Sequence, residues 1–203
     1  MKCRAAILRT TGAEKPYAES QPLSIEEIEL DPPGPNEVLV KIAGAGVCHS
    51  DLSVINGSRA RPLPIVLGHE GSGEIVEIGS AITDLKEGDH TVFQFSAACG
   101  RCVRCLEGRP QNCFTAATQG GKGELLGGGS RIRDADGNTI GHHSGISCMA
   151  EYAVMDRGSI IVVDKSVPLA DAALFGCESQ YLVPVHGRGG GGAEIVGDED
   201  VLV

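Results

Sequence analysis

Four cysteines stand within fifteen residues, Cys99-x2-Cys102-x2-Cys105-x7-Cys113, and no other feature limits the fold of this chain as strongly. Four thiolates held that close can complete a tetrahedral shell around Zn²⁺ with no position left open. The binding energy of such an ion is folding energy for the loop that carries it. Gly100, Gly108 and Pro110 let the backbone turn tightly, and Arg101, Arg104 and Arg109 offset the negative charge of a four-thiolate centre. Disulfides and free thiols are the plainer readings, but bridges belong to oxidising compartments. A Cys-x2-Cys-x2-Cys run also opens iron–sulfur sites, where the fourth cysteine follows after three residues and precedes a proline. Here it follows after seven, which favours a structural zinc.

The compartment is read from the rest of the chain. The first nine residues place only Ala5, Ala6, Ile7 and Leu8 between two arginines, too short an apolar run for an export signal. No stretch approaches the ~18 apolar residues of a membrane span. A cytoplasmic protein is therefore expected, with its eight cysteines reduced. The 203 residues suffice for one to one and a half domains with a real core. A net charge of −10 and only seven aromatic residues, none clustered, argue against a nucleic-acid partner.

Short apolar segments separated by Gly/Pro turns predict strands at 3–8, 23–30, 37–42, 73–78, 91–95, 152–154 and 160–163. The apolar positions 23, 25, 28 and 30 break strict alternation, so that strand is expected to carry a bulge. Pro32, Pro33 and Pro35 cannot donate to a ladder and mark a turn. Weaker helical patterns lie at 50–55 and 169–174. The expected fold is mainly β with some α, a small barrel carrying a zinc-binding loop lobe over 95–114. The glycine-rich stretch between Cys113 and His143 is expected to be a surface excursion. Cys3 and Cys148 read as buried apolar thiols, and His142-His143 as loop residues pointing in different directions.

Three further residues stand where apolar elements stop: Cys48 after Gly44-Ala45-Gly46-Val47, His69 after Pro64-Ile65-Val66-Leu67-Gly68, and Cys177 after Phe175-Gly176. Taken singly, each is equally a buried thiol or an ordinary histidine. Taken in order with the cysteine lobe, the segments Gly46-Val47-Cys48-His49-Ser50-Asp51, Gly68-His69-Glu70-Gly71 and Phe175-Gly176-Cys177 resemble the zinc-dependent alcohol dehydrogenases of the medium-chain dehydrogenase superfamily. The resemblance spans residues 1–177 and implies a GroES-like catalytic domain. It also implies that Cys48, His69 and Cys177 hold a catalytic zinc, a Cys2His set already known for alcohol dehydrogenase and not deduced from spacing.

By that resemblance, zinc acts as a Lewis acid on an alcohol, and hydride passes to NAD to give an aldehyde or ketone. Ser50 matches the hydroxyl that takes the substrate proton, Asp51 the carboxylate that orients the histidine ligand, and Glu70 an acid beside the metal. His49 matches a residue facing the cofactor pyrophosphate. Ser53 departs from the pattern, since some members carry a histidine there that ends the proton relay. The resemblance further implies small alcohol or carbonyl substrates and, for the full-length form, a homo-oligomer, while charge and hydropathy argue against a nucleic-acid or membrane partner.

In the family a Rossmann domain follows the last zinc cysteine. Here Glu178-Ser179-Gln180-Tyr181 replaces the expected small-residue helix, and Gly187-x-Gly189-x-x-Gly192 lacks a flanking strand, helix and downstream acid. Residues 178–203 are thus expected to be an anomalous tail, and the Rossmann domain to be missing. The alternative function is an inactive zinc-binding fragment unable to bind the cofactor.

Overall fold

The computed structural model describes residues 1–95 and 97–178, with the side chains of Cys177 and Glu178 outside that description. The tail beyond Glu178, including its glycine pattern and His186, lies outside the described residues.

Among the described residues ten strands build two sheets: β1 (Lys2–Leu8), β2 (Leu23–Leu30), β3 (Glu37–Ala45), β4 (Ile65–Val66), β5 (Gly71–Ile78), β6 (His90–Phe93), β7 (Ile132–Arg133), β8 (Thr139–His142), β9 (Tyr152–Asp156) and β10 (Ile160–Val163). Six short helices accompany them: α1 (Tyr17–Ser20), α2 (His49–Ile55), α3 (Val103–Leu106), α4 (Phe114–Gly121), α5 (Leu169–Ala172) and α6 (Phe175–Glu178). Strands β1-β2-β7-β8-β4 close into a barrel, and β10-β6-β5-β3-β9 form a second sheet. The predicted class, mainly β with a closed barrel, is the observed one. Among the described residues no helix is long and apolar enough to cross a membrane.

The expected bulge in β2 is absent. Its pairing with β1 runs unbroken from Lys2↔Glu29 to Leu8↔Leu23. Ile28 and Leu30 face the core, whereas Ile25 is 69% exposed on the outer face. One surface isoleucine therefore imitates a register shift. The irregularities lie instead between β3 and β5, at Leu39/Val40 and Ile42/Gly44.

The segment between Cys113 and His143 is not the expected excursion. After α4 it sends Leu125, Ile132 and Ile140 into the cluster formed by Cys3, Ala5, Ile7, Ile28 and Leu30. Its two short strands complete the barrel, β7 against β2 and β8 parallel to β4. Strands of two and four residues between glycines carry too little periodicity to be read from sequence.

Candidate metal centres

One centre forms where three segments of the second sheet and barrel end together. Gly46 follows β3 and donates its N–H to the Glu70 carbonyl at 2.9 Å. A Cβ at Gly46 would lie 2.7 Å from Glu70 Oε2, so a larger residue there would push the Glu70 carboxylate aside. The chain then turns into α2, whose first residues are His49, Ser50 and Asp51. Asp51 Oδ2 accepts the Cys48 N–H at 3.0 Å, which ties the cysteine to the start of the helix. Gly68 has φ +90°, and a Cβ there would stand 2.7 Å from Met149 N. That left-handed residue turns His69 inward from the end of β4.

His69 is buried and faces two ways. Its Nε2 lies 3.2 Å from Ser50 Oγ and 3.9 Å from Glu70 Oε1. Its Nδ1 lies 3.5 Å from Asp51 Oδ1. The donor atoms of Cys48, His69 and Glu70 all fall within 4.8 Å of one another. A soft thiol, an imidazole and a carboxylate converging on one point form a donor set suited to zinc. Phe95 closes one side, edge-on to the His69 ring with centroids 5.8 Å apart.

Behind this corner Asp51 is wholly buried. Its Oδ1 also accepts the Gly68 N–H at 3.2 Å and lies 3.0 Å from His143 Nδ1. Neither histidine contact is an aligned hydrogen bond, since both Nδ1 atoms are buried without a hydrogen-bond partner. Burial opposes ionisation of Asp51, but the His143 and His69 contacts and the Cys48 N–H outweigh it and hold the carboxyl below its ordinary range. Burial likewise works against a charged His69, yet Asp51 and Cys48 overcome it and raise its pKa. The corner is thus built to favour positive charge.

Sequence reading missed His143. It and His142 are wholly buried: His143 lies in the bend after β8, as a loop reading expects, but His142 belongs to the strand. His142 ends β8 and accepts the Arg131 N–H at 3.2 Å, and burial pushes its pKa down to about 3. Neighbours at a strand end point to opposite sides, so one imidazole enters the barrel and the next reaches Asp51. Their directions do differ, as expected, but each has a buried destination. The signal in the sequence is the adjacent pair itself.

Of the remaining candidates, His49 is exposed, with Nδ1 3.4 Å from Ser53 Oγ on the next turn of α2. The side chain of Cys177 lies outside the described residues. Its neighbour Gly176 packs its backbone so close to β6 that a Cβ would meet the Phe93 carbonyl at 2.6 Å. Cys3 and Cys148 are buried, and burial raises the pKa of both thiols. Cys148 Sγ donates to the Glu70 carbonyl at 3.1 Å.

The second centre is the cysteine lobe. The Cys99–Cys105, Cys102–Cys105 and Cys102–Cys113 sulfurs are 4.0, 3.5 and 3.9 Å apart. A tetrahedron with Zn–S bonds of about 2.3 Å has S···S edges of about 3.8 Å, which these distances bracket. A disulfide needs about 2.05 Å, and all four cysteines are free. The Cys102 N–H reaches Cys99 Sγ at 3.3 Å, the Cys99 N–H reaches Cys113 Sγ at 3.4 Å, and the Ala116 N–H reaches Cys113 Sγ at 3.5 Å. The Thr115 hydroxyl and nearby backbone N–H groups lower the Cys99 thiol to about 6. Burial, followed by the Cys102 contact, pushes Cys105 up to about 12. A central cation would reverse that by stabilising all four thiolates.

Residues 34–165 match the alcohol dehydrogenase GroES-like domain, and the chain belongs to that family. It is 37% identical over 178 residues to an S-(hydroxymethyl)glutathione dehydrogenase of Saccharomyces cerevisiae, covering 87% of this chain and 44% of that protein. An enzyme of the same name from Synechocystis is 36% identical over 87% of this chain and 46% of its own length. Among solved structures, an alcohol dehydrogenase zinc-binding domain protein from Burkholderia ambifaria superposes with a TM-score of 0.79 at 34% identity. Benzyl alcohol dehydrogenase from Acinetobacter calcoaceticus does so at 0.76 and 31%. Each covers 89% of this chain and 46% of the other. The chain therefore spans less than half the length of the curated relatives it matches.

Proposed function

We propose that this chain is the metal-holding part of a zinc-dependent oxidoreductase that oxidises a small alcohol to an aldehyde or ketone, with hydride transfer to NAD. The observation that carries this reading is the convergence of Cys48, His69 and Glu70 within 4.8 Å, beside a hydroxyl and in front of a buried carboxylate. Cys48, His69 and Cys177 would hold the ion, and the Cys99, Cys102, Cys105 and Cys113 lobe would hold a second, structural one. A bound zinc with an open position supplies Lewis acidity toward an alcohol oxygen.

The residues around it divide the remaining work. Ser50 Oγ, 3.2 Å from His69 Nε2, is within reach of a hydroxyl proton released in the corner. The Asp51 carboxylate, 3.5 Å from His69 Nδ1, favours a proton on that nitrogen and so leaves Nε2 for the metal. Glu70, buried with Oε1 3.9 Å from His69 Nε2, would serve as an exchangeable carboxylate beside the metal. His49, exposed on α2, would be free to contact the cofactor pyrophosphate.

Cobalt substitution tests the reading on the chain itself. A Cys/His centre with an open position should change its visible absorption when 2,2,2-trifluoroethanol is added, whereas a closed four-thiolate centre should not. Bands that fail to move with alcohol would contradict a catalytic role and leave two structural metals.

A further inference from the structure

We infer that the cavity beside the metal corner accepts an alcohol bearing an anionic group, a carboxylate or a phosphate, held by Arg59, Arg61 and Arg109. The inference rests on the corner being the reaction centre.

The cavity measures about 790 Å³ and lies between the loop after α2 and the cysteine lobe. Phe95 forms part of its wall and also lies edge-on to His69, so one ring separates the cavity from the corner. Ser144, next to His143, belongs to the same wall. Four arginines surround this space, Arg59, Arg61, Arg104 and Arg109, against two carboxylates, Glu124 and Asp156. In a chain of net charge −10, a cationic wall is the opposite of what average composition produces.

Arg104 is already engaged, 3.1 Å from Glu107 and stacked over Phe114. The other three form no ion pair among the described residues, whereas six cations elsewhere do: Lys2, Arg4, Arg9, Arg131, Arg133 and Arg157 each face a carboxylate. Arg61 is half-buried, and its Nε is buried without a hydrogen-bond partner. Burial and the neighbouring charge of Arg59 both work against its ionisation. A partly desolvated guanidinium crowded by a like charge is unfavourable in the empty protein. A bound oxyanion relieves both costs, and the planar guanidinium fork matches carboxylate and phosphate alike.

Charge compensation for the zinc lobe is the competing role for these arginines. It accounts for Arg109 more readily than for Arg59 and Arg61, which come from a different segment. The test titrates the zinc-loaded chain with benzoate, benzyl alcohol, 4-(hydroxymethyl)benzoate and 4-(hydroxymethyl)phenyl phosphate, followed by calorimetry. The charged ligands should bind at least about tenfold more tightly than benzyl alcohol, as expected of charge-assisted hydrogen bonds. That advantage should vanish in the Arg59→Ala/Arg61→Ala double variant, fall in Arg109→Gln, and weaken in ~0.5 M salt. The tighter of the two charged alcohols identifies the anion. With cobalt in the corner, these alcohols should move the visible bands and benzoate should not.

Equal binding of benzyl alcohol and the charged ligands would overturn the inference, and so would loss of lobe zinc in the double variant. Bands that respond to trifluoroethanol, with no anion preference, would leave the metal reading standing and remove this one. Anion binding that never moves the bands would assign the arginines to a site unconnected with the reaction.

Discussion

His143 Nδ1 lies 3.0 Å from Asp51 Oδ1, nearer than His69 Nδ1, which lies 3.5 Å from the same oxygen. One buried carboxylate thus serves two imidazoles, and only one of them faces the metal corner. Replacing Asp51 with Asn removes the negative charge that orients His69. Zinc affinity at the corner should fall by ~10–100-fold, while the cysteine lobe keeps its own. Competition with a chromophoric chelator measures both sites, and unchanged corner affinity would show that Asp51 does not support the metal.

Gly68→Ala asks whether backbone conformation places His69. The φ of +90° disfavours any side chain, and the new Cβ would lie 2.7 Å from Met149 N. The variant should lose ~2–4 kcal/mol in urea denaturation and its corner metal with it. A variant as stable as the parent would mean that the 68–69 turn tolerates rearrangement.

The sequence makes the cysteine lobe legible because its chemistry is local, four soft donors in one loop, whereas Cys48, His69 and Cys177 are legible as a candidate set only through the family resemblance. It makes the barrel only partly legible. Strands β3, β5 and β10 announce themselves through β-branched runs and β1 through a short apolar one, but β7 and β8 are too short to show a period. The role of His143 depends on a contact across the fold with Asp51, which no spacing encodes. The β2 bulge was a false signal from Ile25, an exposed apolar side chain of the sort every surface carries.

Leu125→Ala tests the reassigned core. Leu125 is fully buried among β1, β2 and β7 residues. Truncation should cost ~2–5 kcal/mol, against less than ~0.5 kcal/mol for a surface leucine. A surface-like value in urea denaturation would return this segment to the status of a loop.

The Arg9–Glu26 pair predicts part of the acid response. Arg9 bonds, followed by the Ser24 hydroxyl, lower Glu26 from 4.5 to about 2. A carboxylate with a depressed pKa stabilises the fold above its unfolded value, and loses that contribution as pH falls through the folded one. Arg9 is 45% exposed, so the pair is worth only ~0.5–1 kcal/mol. Glu26→Gln should therefore lower stability at pH 7 and converge on the parent as pH falls from 4.5 toward 2. A gap independent of pH would point to packing instead of charge.

Metal content tests the central claim most directly. Elemental analysis of the purified chain should give about two zinc ions per chain, about one in Cys48→Ala and about one in Cys102→Ala. A parent holding one zinc, or a Cys48→Ala variant that retains both, would contradict a metal at the Cys48–His69 corner.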